Sequence, residues 1–223
     1  MTGIGAWSAR IGLTVTLGCV VLLADAGLVA SAATKGAPSI GRDEAEASVR
    51  HNNSGGWFFE QGDLEAAARE FREAIRVDPE DPAPHNNLGM LLHVLGEPAE
   101  ALAEFREAVR VHPGFAPGWS NLGFAFYELD QLMPAVEAWL IAVDLNRQSA
   151  GAWAGLALGL LAGGALSQAI ESYGWAISLD PRYADLAYLQ TVRHWSPRAL
   201  ERAGVILRQM AAERPMPLPN PLM

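Results

Sequence analysis

The sequence contains very little lysine and cysteine. Lys35 is the single lysine, Cys19 is the single cysteine, and 25 acidic residues outnumber 16 basic ones, giving a net charge of -9. Electrostatic binding to nucleic acid or to anionic lipid needs a basic surface, so this composition argues against both kinds of partner. Because Cys19 lies in an N-terminal apolar segment, the rest of the chain can form neither a disulfide nor a thiolate metal site.

The sequence also lacks the short motifs of common catalytic and cofactor sites. It has no His-Glu-x-x-His pair, no serine in a nucleophile elbow and no Gly-x4-Gly-Lys loop. We therefore predict no catalytic residue, no metal site and no cofactor.

The N-terminal segment 1–33 has the order of a secretory signal peptide. A head with one cation, Arg10, precedes the uncharged run 11–24, and small residues follow through Ala30-Ser31-Ala32. As a helix this run reaches about 21 Å, less than the roughly 30 Å hydrocarbon core of a bilayer. We expect cleavage near Ala32 and an exported protein, periplasmic or otherwise extracytoplasmic. The alternative is an uncleaved helix, in which residues 11–33 anchor the protein to the membrane.

From residue 48 onward the sequence repeats at the fixed interval that separates Leu88 from Leu122. Leu88-Gly89 recurs as Leu122-Gly123, and further along each repeat a small, an aromatic and a small residue follow at fixed spacing. These residues are Ala67, Phe71 and Ala74; Ala101, Phe105 and Ala108; Ala135, Trp139 and Ala142; and Ala169, Tyr173 and Ala176. The pattern predicts four helical hairpins, in which glycine and alanine let neighbouring helices approach closely. Turns at the helix ends are expected at Gly62, Gly96, Asp130 and Gly164.

This pattern resembles the tetratricopeptide repeat. The first half of that repeat is matched almost letter for letter by residues 119–126, Trp-Ser-Asn-Leu-Gly-Phe-Ala-Phe. The sequence departs from it with His51 and His85 at the first aromatic position, Ser54 for leucine and Arg147 for proline. The resemblance implies an all-α fold, a right-handed superhelical solenoid of antiparallel helix hairpins preceded by an N-terminal signal or anchor helix.

The implied organisation divides the chain into five parts. They are a signal peptide or membrane anchor (1–33), a linker and polar lead-in (34–47), four repeats (48–81, 82–115, 116–149 and 150–183), capping helices (184–213) and a proline-rich tail (214–223). Within the cap we expect one helix from Asp185 to Trp195 and a second helix that begins at Pro197 after the N-cap residue Ser196. The second helix should turn one apolar face to the stack, made of Leu200, Ala203, Leu207 and Met210.

The resemblance places the first helix of each repeat on the concave side, where proteins of this family bind ligands. The predicted partner-binding residues are Asn52, Asn53, Asn86, Asn87, Met90, His93, Asn121, Phe124, Tyr127, Leu158 and Leu161. They change from polar to apolar toward the C-terminus, which favours an exposed apolar binding surface. The alternative is that the C-terminal helices fold over this end and bury it. Asn53, Asn87 and Asn121 could pair with a ligand backbone or bridge adjacent helices, and the sequence does not choose between these roles.

The sequence therefore predicts a non-catalytic scaffold of a bacterial cell envelope that binds a peptide or protein segment in the concave groove. The alternatives are a membrane-anchored assembly factor for a multi-subunit complex and a regulatory subunit of an envelope enzyme. Tetratricopeptide domains that bind the tails of heat-shock chaperones hold the tail's carboxylate with lysine and arginine side chains. The matching positions here hold neither residue, so that class of ligand is disfavoured.

Overall fold

A computed structural model describes residues 41–213, and this part of the chain consists of helices and turns without a strand. Eight helices form four hairpins. The first two hairpins are α1 (Arg42–Glu60) with α2 (Leu64–Val77) and α3 (Pro82–Val94) with α4 (Pro98–Val111). The next two are α5 (Ala116–Glu128) with α6 (Leu132–Leu145) and α7 (Ala150–Ala162) with α8 (Leu166–Leu179). A 3-10 turn (Pro181–Ala184), a short helix α9 (Leu186–Thr191) and a long helix α10 (Pro197–Glu213) follow. The all-α prediction is confirmed for the described residues.

The hairpins turn at the residues that the sequence indicated. The backbone φ is 79° at Gly62, 80° at Gly96, 58° at Asp130 and 83° at Gly164. Left-handed backbone of this kind ends a helix and lets the chain reverse direction, and it favours glycine because no Cβ interferes. Aspartate is one of the few other residues that tolerate it, which explains why Asp130 can replace glycine in the third hairpin.

The two helices of a hairpin pack through an aromatic ring set against a glycine. A Cβ added at Gly89 would lie 2.7 Å from the Phe105 ring, and one added at Gly123 would lie 2.5 Å from the Trp139 ring. Carbon atoms in van der Waals contact lie about 3.5–4.0 Å apart, so these sites have no room for a larger residue. The predicted close approach of the helices is confirmed at these contacts.

The first helices of consecutive hairpins also contact one another, α1 with α3, α3 with α5 and α5 with α7. A row of first helices that lie side by side forms one continuous surface of the array. We call this surface the concave face.

The C-terminal cap differs from the sequence prediction. Instead of one helix from Asp185 to Trp195, the chain forms the short helix α9 and then turns at His194, where φ is 54°. Helix α10 begins at Pro197, and the Ser196 hydroxyl accepts a hydrogen bond from the Ala199 N–H. Its buried face consists of Ala199, Ala203 and Ile206. The predicted Ala203 is buried on this face, whereas Leu200, Leu207 and Met210 are half-buried, because α10 packs closely on α7 and α8 through small residues.

Several sequence predictions fall outside the described residues. They concern the signal or anchor segment 1–33, residues 34–40 of the linker and the tail 214–223. Among the helices of residues 41–213, none has the length and apolar character needed to cross a membrane.

Candidate functional site

The concave face holds a cleft that the C-terminal segment partly closes. One wall consists of Phe59, Met90, His93, Asn121, Phe124 and Glu128, from α1, α3 and α5. The opposite wall consists of residues 192–196 and Ala199, which lead from α9 into α10. The free volume of this concave cleft is about 70 Å³, whereas ligand pockets usually measure roughly 300–1,000 Å³. The cleft is therefore already largely filled by the protein itself.

Four of the predicted partner-binding residues lie together in the concave cleft, namely Met90, His93, Asn121 and Phe124. Met90 is 38% exposed, a high value for a large apolar side chain. Because the C-terminal segment leaves Met90 open to solvent, this end of the cleft is accessible from outside.

The asparagine side chains form a ladder between neighbouring first helices. The Asn87 amide nitrogen donates to the Asn52 amide oxygen at 2.9 Å, and the Asn121 amide nitrogen donates to the Asn86 amide oxygen at 2.8 Å. Asn86 is buried, and Asn53 is exposed. Of the two roles that the sequence left open, bridging adjacent helices is the one that Asn87 and Asn121 perform in this structure.

The apolar end of the predicted groove is covered. Tyr127 is 2% exposed and Leu158 is 0% exposed, so placing these two on an open surface is wrong. The guanidinium groups of Arg198 and Arg202, both on α10, lie 4.4 Å and 5.2 Å from the Tyr127 ring centroid. Leu161 is half-buried. The structure therefore agrees with the alternative prediction, in which the C-terminal helices fold over this end and bury it.

An aromatic side chain of the C-terminal segment packs against the rings of the cleft. The Trp195 ring lies 5.4 Å from the Phe124 ring and 6.0 Å from the Tyr183 ring, and Trp195 is 6% exposed. The His194 ring meets the Phe59 ring edge-on at 6.4 Å. Ring pairs at these distances contribute beyond the burial of their area, so the segment is held by specific contacts.

Polar groups of the concave face form hydrogen bonds with the same C-terminal segment. His93 Nε2 lies 3.4 Å from the His194 carbonyl oxygen, and the Ser196 hydroxyl donates to Glu128 Oε1 at 2.7 Å. The Arg198 guanidinium donates to the Asp130 carboxylate and to the Tyr127 carbonyl oxygen. Sequence reasoning missed these partners because they lie far apart along the chain and no repeat links them.

Comparison with known proteins assigns the repeat. The family model described as "Tetratricopeptide repeat" matches residues 58–116, which contain the second hairpin and parts of its neighbours. The matched residues 58–116 are tetratricopeptide repeats. The resemblance inferred from the sequence is thereby confirmed, and no curated protein matches the chain.

Several solved structures of other proteins share the fold. The "MamA protein" is 24% identical, with 78% of this chain and 99% of that chain covered and a TM-score of 0.54. The pilF protein of Pseudomonas aeruginosa is 21% identical, with 76% and 78% covered and a TM-score of 0.60. YrrB, described as "a TPR protein with an unusual peptide-binding site", is 20% identical, with 78% and 90% covered and a TM-score of 0.55. At this level of identity the likeness shows the fold alone.

Two buried tyrosines lie at the covered end of the concave face. Burial raises the pKa of Tyr127, although the nearby Arg202 and Arg198 act in the opposite direction. Burial likewise raises the pKa of Tyr183, which contacts Trp195. Both phenols therefore stay protonated at neutral pH, and the Tyr127 hydroxyl can accept its hydrogen bond from Arg202 Nη1 at 2.8 Å.

The two histidines at the first aromatic position of the repeat pair with glutamates. His51 Nδ1 lies 2.8 Å from Glu70 Oε2, and His85 Nδ1 lies 2.8 Å from Glu104 Oε2. In the third repeat, Trp119 occupies the same position, and its Nε1–H donates to the Pro113 carbonyl oxygen at 2.8 Å. His51 and His85 thus link the two helices of their own repeat, whereas Trp119 bonds to the end of the preceding repeat. The sequence did carry a signal for the pairs, since both have the same separation along the chain and lie one repeat apart.

Within residues 41–213 no cluster of three or more histidine, cysteine, aspartate or glutamate side chains could hold a metal ion. The concave cleft presents aromatic rings, an amide, an imidazole and a carboxylate, which are groups that can contact a ligand.

Proposed function

We propose that this protein is a non-catalytic scaffold that binds a segment of a partner protein on its concave face. The observation that carries the proposal is the accessible end of the concave cleft. There the exposed Met90 lies beside His93 and Asn121, so an apolar contact and hydrogen-bonding groups occur together. A large apolar side chain ringed by polar groups is the usual composition of a protein-binding surface.

Structural neighbours support a protein or peptide ligand. YrrB is described as having a peptide-binding site, and the first tetratricopeptide domain of Spaghetti (RPAP3) was solved bound to an HSP90 peptide. The RPAP3 domain is 20% identical, with 54% of this chain and 95% of that chain covered and a TM-score of 0.52. This chain has no lysine or arginine at the predicted groove positions, so we propose a ligand other than an acidic tail.

We also propose that the scaffold works outside the cytoplasm of a bacterial cell. The apolar run 11–24 followed by Ala30-Ser31-Ala32 supports export. Mass spectrometry of the protein isolated from its own cells tests this. A mature N-terminus close to Ala33 supports cleavage, a retained Met1 in the membrane fraction supports the anchor, and a retained Met1 in the cytoplasm refutes export.

Binding at the concave face is tested by affinity purification of the tagged full-length protein from its own cells. The variant is Met90→Glu, which places a charge at the accessible end of the cleft. The matched control is Met133→Glu, which makes the same change at a side chain that is 56% exposed on α6, a second helix. A partner that is lost with Met90→Glu and kept with Met133→Glu supports binding on the concave face.

Capture of the same partners by both variants would refute the concave face as the binding site. Alanine variants of the asparagine ladder would not serve as well, because Asn87 and Asn121 join neighbouring repeats. Their loss would mix instability with loss of binding.

A further inference from the structure

We propose that the concave cleft is a receptor for a segment in which an aromatic side chain is followed three residues later by a cation. In this structure the chain's own Trp195 and Arg198 occupy the receptor. The inference rests on the proposed function, since it names the chemistry of the ligand that the concave face would take. A partner segment of the same chemistry would bind by displacing the internal one.

The first part of the receptor is an aromatic subsite. Trp195 is nearly fully buried between Phe124 and Tyr183. Behind it, the Phe124 ring packs edge-on against the Trp139 ring at 5.2 Å. Two rings from two different elements thus contact the indole directly, and only a large flat side chain would keep both contacts.

The second part of the receptor is a cation subsite at the C-terminal end of α5. The Arg198 guanidinium contacts the Asp130 carboxylate, the Tyr127 carbonyl oxygen and the face of the Tyr127 ring. The last carbonyl groups of a helix carry partial negative charge, and an aromatic face attracts a cation. The carboxylate of Glu128 lies beside them in the cleft wall. This charge pattern selects a basic segment and rejects an acidic one.

Between the two subsites, the receptor contacts the backbone and a small side chain of the bound segment. His93 Nε2 lies 3.4 Å from the His194 carbonyl oxygen, an atom that every peptide offers at that point. The Ser196 hydroxyl bonds to Glu128, so a small donor is accommodated after the aromatic residue. A peptide that begins a helix after the serine, as α10 does at Pro197, could therefore repeat these contacts from outside.

The internal segment binds under a constraint that a separate ligand would escape. To bring Trp195 into the cleft, the chain adopts a φ of 54° at His194, a left-handed backbone that is unfavourable for residues with a side chain. Since the free volume left in the cleft is about 70 Å³, internal and external segments cannot occupy it together. The apparent affinity for an external ligand then falls by the fraction of molecules in which the cleft is open.

The test uses a fluorescent peptide that copies residues 191–200, Thr-Val-Arg-His-Trp-Ser-Pro-Arg-Ala-Leu, and the full-length protein, with binding measured by anisotropy. Arg198→Glu in the protein should release the internal segment, because a carboxylate would face Asp130 and the Tyr127 carbonyl. We expect this variant to bind the peptide about tenfold more tightly than the wild type. Arg208→Glu is the matched control, the same change at an exposed position of α10, and should bind like the wild type.

Peptide variants then test the two subsites separately. With the Arg198→Glu protein, a peptide carrying alanine in place of the tryptophan should lose the aromatic contacts. A peptide carrying glutamate in place of the second arginine should lose the cation contacts. We expect each to bind about tenfold more weakly than the parent peptide.

A second measurement needs no variant that could fail to fold. In the wild-type protein, saturating peptide should speed hydrogen exchange of the amides of residues 192–199, because the internal segment leaves the cleft. A scrambled peptide should not. If exchange of 192–199 does not change, or if a folded Arg198→Glu protein binds the peptide no better than the wild type, the proposal is wrong. The comparison of Met90→Glu with Met133→Glu judges the proposed function independently, since it uses the natural partner and not this peptide.

Discussion

Replacing Gly155 with alanine should destabilise the array, although alanine is the better helix former. Gly155 lies in α7 at the repeat position that holds Asn53, Asn87 and Asn121 in the other three repeats. An added Cβ would overlap the indole of Trp139. That indole cannot move away, because Trp139 is completely buried and its Nε1–H donates to the Ser120 carbonyl oxygen at 3.0 Å.

Two opposing effects set the size of the loss. Alanine in place of glycine within a helix is worth about 1 kcal/mol. Forcing one extra methyl group into a packed core costs about 1–3 kcal/mol. Gly123 presses on the opposite side of the same ring, where a Cβ would lie 2.5 Å away, so the ring is clamped between α5 and α7. We therefore expect the upper part of that range and a net loss of about 1–2 kcal/mol in the free energy of unfolding.

Urea unfolding followed by circular dichroism measures this loss, and Gly174→Ala in the same repeat is its control. A Cβ at Gly174 would find only Met210 Cε, at 3.9 Å, so alanine there gains helix propensity without a clash. We expect Gly174→Ala to stabilise the protein by up to about 1 kcal/mol. If Gly155→Ala stabilises the protein to the same extent, the indole is not clamped and the reasoning is refuted. Trp139→Phe, which introduces the smaller ring of the first two repeats, should reduce the loss caused by Gly155→Ala.

Two further predictions concern the contacts within and between repeats. Burial alone would lower the pKa of His85, but the hydrogen bond and charge of Glu104 outweigh it and raise that pKa above the ordinary value near 6.5. The stabilising contribution of His85 should therefore be complete below about pH 6.5 and disappear as the pH rises through the higher folded value. The difference in unfolding free energy between wild type and His85→Phe should accordingly shrink from pH 6 to pH 8, and a constant difference would contradict the charged pair. Asn87→Ala should lower the free energy of unfolding by about 1 kcal/mol, because it breaks the hydrogen bond to Asn52. Asn53→Ala, at an exposed side chain, should change it by less than about 0.5 kcal/mol. Equal losses for the two variants in urea titrations would contradict the asparagine ladder.

The repeat architecture could be predicted from the sequence because its determinants are local and recur. Glycine or aspartate at the hairpin turn, and an aromatic residue set against a glycine, occur within one repeat and appear again in the next. The positive φ at Asp130 and the close contact of Gly89 with Phe105 follow from such spacings. A pattern that appears several times in one chain can be recognised by comparing the repeats with one another.

The covered end of the concave face could not be predicted in the same way. Arg198 and Asp130 are 68 residues apart, and His93 and His194 are 101 residues apart, with no periodic signal that joins them. The path of the segment also depends on a left-handed residue, His194, that no turn motif in the sequence marks. Tyr127 and Leu158 occupy groove positions by repeat number, and only the path of α10 determines that they are buried.

The change from polar to apolar residues along the concave face therefore has a different meaning from the one that the sequence first suggests. An apolar gradient favours a binding surface, but here its apolar end is where the chain's own Trp195 and α10 pack. The asparagine ladder stops at the same boundary, because the fourth repeat has Gly155 in place of asparagine to make room for Trp139. The polar end, where Met90 is exposed, is the part left for a first contact with a partner. A partner that continued along the face would meet the internal segment next, so binding at the open end and release of residues 192–198 would be coupled through the concave cleft that they share.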